Sequence, residues 1–272
     1  MVSIGRVWDR TTEVLGGRGG TLAGIAALAI FLPTVVRTAF TAYTAYGAVT
    51  PSHSGIVALI AIVAALATIW GQLAIVALSS DPAVTRDDAT RIAARRLPAA
   101  IGIVLLLGIA LAVLLVPCMV ALGAALGPSS LVLMQAGVMP RIAPGAALFV
   151  TLYILALAIV FLVLGARLFL LNPVIVNERL GLRSIPRAFR LTRGLTWKLI
   201  GLLILYAIVL LVGMIAAQAV VGIVFRLILG AGVTAAFLGG VAGAAVTTAL
   251  SVVATVFASQ LYVAARDAAF TE

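Results

Sequence analysis

The sequence is short of nearly everything that a water-soluble fold or an enzyme draws on. Charged residues make up 10% of its 272 positions while 64% are hydrophobic, whereas soluble domains carry about a quarter charged residues. A water-soluble globular fold is thereby excluded. The one cysteine, Cys118, rules out an intrachain disulfide. The one histidine, His53, rules out a histidine-based metal site and a Ser-His-Asp relay. Lys198 is the only lysine, so the basic residues are otherwise arginines. The acidic residues are Asp9, Glu13, Asp81, Asp87, Asp88, Glu178, Asp267 and Glu272, all at or beyond one interface of the apolar runs. No carboxylate relay can cross the hydrocarbon, which disfavours proton-coupled transport through carboxylates. From this inventory no enzymatic activity, cofactor or metal is expected.

What is present is a series of long apolar runs, at 21–43, 55–78, 99–122, 146–171, 199–223 and 241–265. A bilayer span needs about 20 such residues, and lipid cannot hydrogen-bond an open backbone, so each run reads as a helix. The expected fold is all-α, a single polytopic membrane domain over 1–272 with six transmembrane helices. The breaks carry loop punctuation, as in Pro51-Ser52-His53-Ser54-Gly55, Asp81-Pro82, Gly127-Pro128-Ser129-Ser130, Asn172-Pro173 and Gly230-Ala231-Gly232. The amphipathic stretch 3–15 ahead of the first run differs from a cleavable signal, so that run is expected to be retained as a helix.

Net charge is +10, and its distribution gives an orientation. Arginines precede the first run, join the second to the third, join the fourth to the fifth, and appear in the tail; the exceptions are Arg37, Arg141, Arg167 and Arg226. By the positive-inside rule both termini of this multi-pass protein are cytoplasmic. The basic excess then points to anionic lipid headgroups and not to nucleic acid. Similar phrases lead into the odd-numbered helices, Thr21-Leu22-Ala23-Gly24, Ala99-Ala100-Ile101-Gly102 and Lys198-Leu199-Ile200-Gly201. They are consistent with three parallel hairpin repeats, 1–80, 81–173 and 174–272, each an in-plane basic helix and two spans. Chance alignment of Leu/Ala/Val helices would look alike.

Between residues 180 and 197, Arg183, Arg187, Arg190 and Arg193 recur at helical spacing, as do Arg91 and Arg95 in the second basic segment. Helices at headgroup depth would turn these guanidinium forks toward phosphates. Pro186 fits such a helix only in its first turn. The functional reading is a site for anionic or phosphorylated lipid. The plainer one is topogenic charge with ordinary leaflet adhesion, about 1 kcal/mol per arginine.

The stretch from Arg167 through Pro173, Glu178 and Gly181, followed by Arg187-Ala188-Phe189-Arg190-Leu191-Thr192-Arg193-Gly194, resembles the membrane domain attached to some glycerophosphoryl diester phosphodiesterases. That domain also occurs as stand-alone six-helix bacterial proteins. Arg167, Pro173, Glu178, Gly181, Arg187, Leu191, Thr192 and Gly194 occupy matching positions, and Ala188 stands where the family usually has serine. The resemblance implies the six-helix architecture without the soluble catalytic barrel, for which this chain has neither the length nor the residues. Within the phrase, Glu178 could pair with Arg167, Arg187 or Arg190 as a latch between helix four and the basic segment, or belong to a substrate site.

The polar candidates for intramembrane positions are Arg37, Arg167, Arg226, Gln72, Gln135, Gln218 and Gln260. The arginines near run ends can snorkel, and Gln72 and Gln260 can bond across helices. Pro33 and Pro117 could kink their helices, and the small residues around Gly239, Gly240 and Gly243 suit internal packing or a membrane partner, including a second copy. The expected function is noncatalytic: binding anionic membrane lipid or scaffolding a membrane complex. The alternative is a transporter or translocator for a phosphate-bearing or hydrophobic substrate.

Overall fold

The computed structural model describes residues 3–45, 51–126, 144–230 and 232–269, and within them every regular element is a helix. They are α1 (Ile4–Ala26), α2 (Leu32–Ala45), α3 (Pro51–Ser80), α4 (Arg86–Leu126), α5 (Pro144–Leu168), α6 (Leu171–Glu178), α7 (Ser184–Leu191), α8 (Thr196–Leu229) and α9 (Val233–Ala269). Six helical stretches are long and apolar enough to cross a membrane, with α1 and α2 forming one of them and α5 and α6 another. The protein is an all-α polytopic membrane protein.

Two of the basic segments expected as separate in-plane helices are continuous with the spans that follow. The first runs on as α1, and the second opens α4, which extends unbroken from Arg86 to Leu126 with Pro98 and Pro117 inside it. Thr85 starts that helix: its hydroxyl donates to Asp88 Oδ2 at 2.6 Å, and its carbonyl accepts from Ala89 N at 2.9 Å. With Asp87 and Asp88 in the first turn complementing the helix dipole, nothing in the following twelve residues stops propagation. Only the third basic segment is set apart. There a 3-10 turn (Gly181–Arg183) leads into α7, with Pro186 in its first turn, and residues 192–195 form a turn in which Gly194 has φ +85°. The stripe expected to run from Arg183 to Arg193 is therefore divided among three conformations.

Other boundaries also shift. Pro51–Gly55 was expected as loop but forms the start of α3, where a leading proline is tolerated because its missing N–H would have no partner. Asn172 and Pro173 were expected as a break; the break falls at residues 169–170, and both residues lie in the first turn of α6. The expected loop residues 127–130, with Gln135 and Arg141, lie outside the described residues. The kink at Pro33 takes the form of a π-turn, Ala27–Phe31, in which Leu32 N–H bonds Ala27 O. The widened turn makes room for the ring that follows. At this turn α1 and α3 cross so closely that a Cβ on Gly71 would lie 2.6 Å from that of Ala29.

Buried side chains gather toward the end of the bundle that holds the basic segments. One cluster joins α1 and the π-turn to the last turns of α3, the first turns of α4, α6 and Val252 and Val256 of α9. The other joins Val7 to the end of α5, α6, the start of α8 and Phe257, Leu261 and Tyr262. Toward the far end the helices present large apolar side chains outward, among them Leu59, Val113, Val120, Leu152, Leu211 and Val220. The glycines of α9 are consumed internally. A Cβ on Gly239 or Gly243 would strike Gln218, and one on Gly240 would strike Thr38 at 2.6 Å.

Candidate functional site at the basic end

Helix α3 ends at Ser80 and is followed by Asp81-Pro82, with no glycine to fold the chain back onto its last carbonyls. Two distant side chains meet this need. Arg18 donates through Nη1 to the carbonyls of Leu78 (2.8 Å), Asp81 (3.3 Å) and Val84 (3.3 Å), and through Nη2 to that of Pro82. Gln260, buried in α9, donates to the Ser79 carbonyl at 2.6 Å. Arg18 reads in the sequence as one more topogenic charge, and Gln260 as interhelical glue; the missing cap after Ser80 was the signal that α3 needed outside donors. The same junction holds Asn177, whose amide donates to Pro173 O at 2.8 Å and Ser80 Oγ at 3.3 Å.

Glu178, the last residue of α6, is the meeting point of three elements. Arg187 Nε of α7 donates to its two oxygens at 3.1 and 2.8 Å, and the Tyr262 hydroxyl of α9 donates to Oε1 at 3.1 Å. The pair is partly shielded, with side-chain exposures of 26% for Arg187 and 19% for Glu178. Of the other arginines considered as its partners, Arg190 is exposed and Arg167 lies over the Phe189 ring, 6.0 Å from its centroid. The Arg167 carbonyl instead accepts from the buried Thr192 hydroxyl at 3.3 Å, tying the end of α5 to the turn after α7. Tyr262 carried no sequence signal, because its register against Glu178 depends on how α9 docks.

The remaining arginines expected at a headgroup site do not converge on one pocket. Arg183, Arg190 and Arg193 are exposed around α7, and Arg91 and Arg95 are exposed on the first turns of α4. Among the described residues the ion pairs are Arg187–Glu178 and Arg266–Asp267, so these five have no carboxylate within pairing distance. They form a rim at the same end as the Glu178 junction, beside Trp197, which is 84% exposed at the start of α8. Such an indole suits a membrane interface.

The intramembrane polar residues are dispersed. Gln72 accepts from Asn172 Nδ2 at 3.3 Å, Gln260 caps α3, and Arg37 is exposed on α2. Thr247, Thr248, Thr255 and Ser259 of α9 return their hydroxyls to their own helix, as Thr248 does to Ala244 O at 2.8 Å and Ser259 to Thr255 O at 2.9 Å, whereas the buried Ser251 hydroxyl has no partner among the described residues. Comparison of the chain with known protein families, with curated proteins and with solved structures finds no match.

Proposed function

We propose that this is a noncatalytic multi-pass protein of a bacterial cytoplasmic membrane, with its basic end at the cytoplasmic leaflet, which binds anionic lipid headgroups there. The observation that carries the reading is the rim of Arg91, Arg95, Arg183, Arg190 and Arg193, exposed and in no ion pair among the described residues. Guanidinium groups at the edge of a hydrocarbon-facing bundle attract lipid phosphates electrostatically and bind them through paired N–H donors. A membrane-protein partner or a second copy could be assembled on the same lipid-coated face. We further place the chain with the phosphodiesterase-associated membrane domains. Support comes from the matching residues acting together in the structure: Glu178 with Arg187, Thr192 with the Arg167 carbonyl, and Gly181 and Gly194 at positive φ.

The test is mass spectrometry of lipids that copurify with the full-length protein and with an Arg183→Gln/Arg190→Gln/Arg193→Gln variant. Enrichment of anionic lipid by the native protein, reduced in the variant, supports the reading. A retained population identical to the bulk membrane overturns it.

A further inference from the structure

Arg95 and Arg96 of α4 and Arg179, the C-cap residue after α6, line one cavity of about 390 Å3 at the basic end. Arg95 is exposed and Arg96 half-buried, and Arg96 lies close enough to both neighbours to be repelled by them. The carboxylates nearby are occupied elsewhere. Glu178, adjacent to Arg179 in the chain, is held by Arg187 and Tyr262. Asp81, on the cavity wall, accepts the Ala83 N–H at 2.8 Å through Oδ1. Among the described residues no carboxylate comes within pairing distance of the three arginines. The cavity therefore sets three guanidinium groups against one carboxylate, Asp81, and keeps a net positive charge in a concave site.

The cavity meets the exposed rim at Arg95, and Arg179 is exposed too, but two features distinguish it from the rest of the rim. Arg179 has φ +56° at the C-cap of α6, a left-handed conformation that glycine ordinarily supplies. An arginine kept at such a strained position is a pointer to a role for its side chain. The wall also includes Ile92 and the buried Val176, so the site has an apolar surface beside its guanidinium groups. A phosphate group matches the fork geometry of arginine, and an apolar wall suits the carbon skeleton of a phosphate ester.

We propose that the cavity formed by Arg95, Arg96 and Arg179 is a discrete binding site for a phosphate group. This deepens the proposed function and rests on it, because the site belongs to the same basic end. The full-length protein is titrated in phosphatidylcholine nanodiscs with phosphatidic acid or with inorganic phosphate, and bound species are counted by native mass spectrometry. The native protein is expected to bind a saturable phosphatidic acid. Arg96→Gln and Arg179→Gly are each expected to weaken it by about tenfold, as for a lost charged hydrogen bond. The Arg183→Gln/Arg190→Gln/Arg193→Gln variant is expected to retain it. Because glycine adopts the conformation of residue 179 without strain, loss of binding in Arg179→Gly is not loss of fold.

Competition by inorganic phosphate assigns the site to the free ion, and lipid binding that persists against it assigns the site to a headgroup; either supports a phosphate site. Equal losses in the cavity and rim variants overturn the discrete site while leaving the basic-face reading intact. No preference of the native protein for phosphatidic acid over phosphatidylcholine overturns both.

Discussion

Helices α5 and α9 are both apolar enough to span a bilayer, yet they occupy opposite environments. In the most apolar 18-residue stretch of α9, mean hydropathy is 2.0 and 39% is buried; for the span containing α5 the values are 3.0 and 6%. The relation extends to the other spans. Those of α4 and α8, at 3.1 and 2.9, are each 11% buried, and the first span, at 1.9, is 28% buried. In water the most apolar segments would form the interior. Here they face outward, because lipid solvates Leu and Ile as well as a protein core does, and only close backbone contact or polar bonding favours helix association. Small residues, Gly, Ala, Ser and Thr, let α9 approach its neighbours closely, while the helices with the most Leu, Ile, Val and Phe leave most of that surface to lipid.

Substitutions can break or sharpen this contrast. The largest effect is expected from Gly71→Leu, which would drive α3 away from Ala29; a loss of about 3 kcal/mol or more should appear in thermal unfolding in detergent. Gly108→Leu on α4 meets open space and should leave unfolding unchanged. Next is Arg18→Met, which strips donors from four carbonyls at the end of α3 and is expected to cost about 2 kcal/mol, given the penalty for unpaired backbone groups. A double-mutant cycle between Glu178→Gln and Arg187→Gln should yield a coupling of about 1 kcal/mol, and cycles of Glu178 with Arg190 or Arg167 should yield none. An absent Glu178–Arg187 coupling would remove the junction from the account of stability. The smallest effect, below about 0.5 kcal/mol, is expected for Leu155→Ala on the outward face of α5, which is 56% exposed.

The legibility of the chain divides along chemical lines. Span positions follow from run length, since about 20 apolar residues have few other uses. Helix continuity was harder to read. Prolines at 51 and 173 look like punctuation, but both occupy first turns, where no N–H is needed. Arg187 against Glu178 lay within reach of sequence reasoning because nine residues and one tight turn separate them. Arg18 with the α3 carbonyls, Tyr262 with Glu178, and Arg96 with Arg179 were not, because each partner comes from a distant helix whose rotation is fixed only by packing.

Composition and hydrophobic run length determined by themselves that this is a multi-helix membrane protein, since transfer into lipid depends on each segment's own residues. The distribution of arginines marked one end as basic. Only tertiary structure decided which guanidinium groups are spent on carbonyls and carboxylates and which stay free around the rim and in the cavity. That division depends on helix register and depth, and in lipid these are set by close contacts such as Gly71 on Ala29 and by polar bonds such as Gln260 to Ser79, not by hydrophobicity.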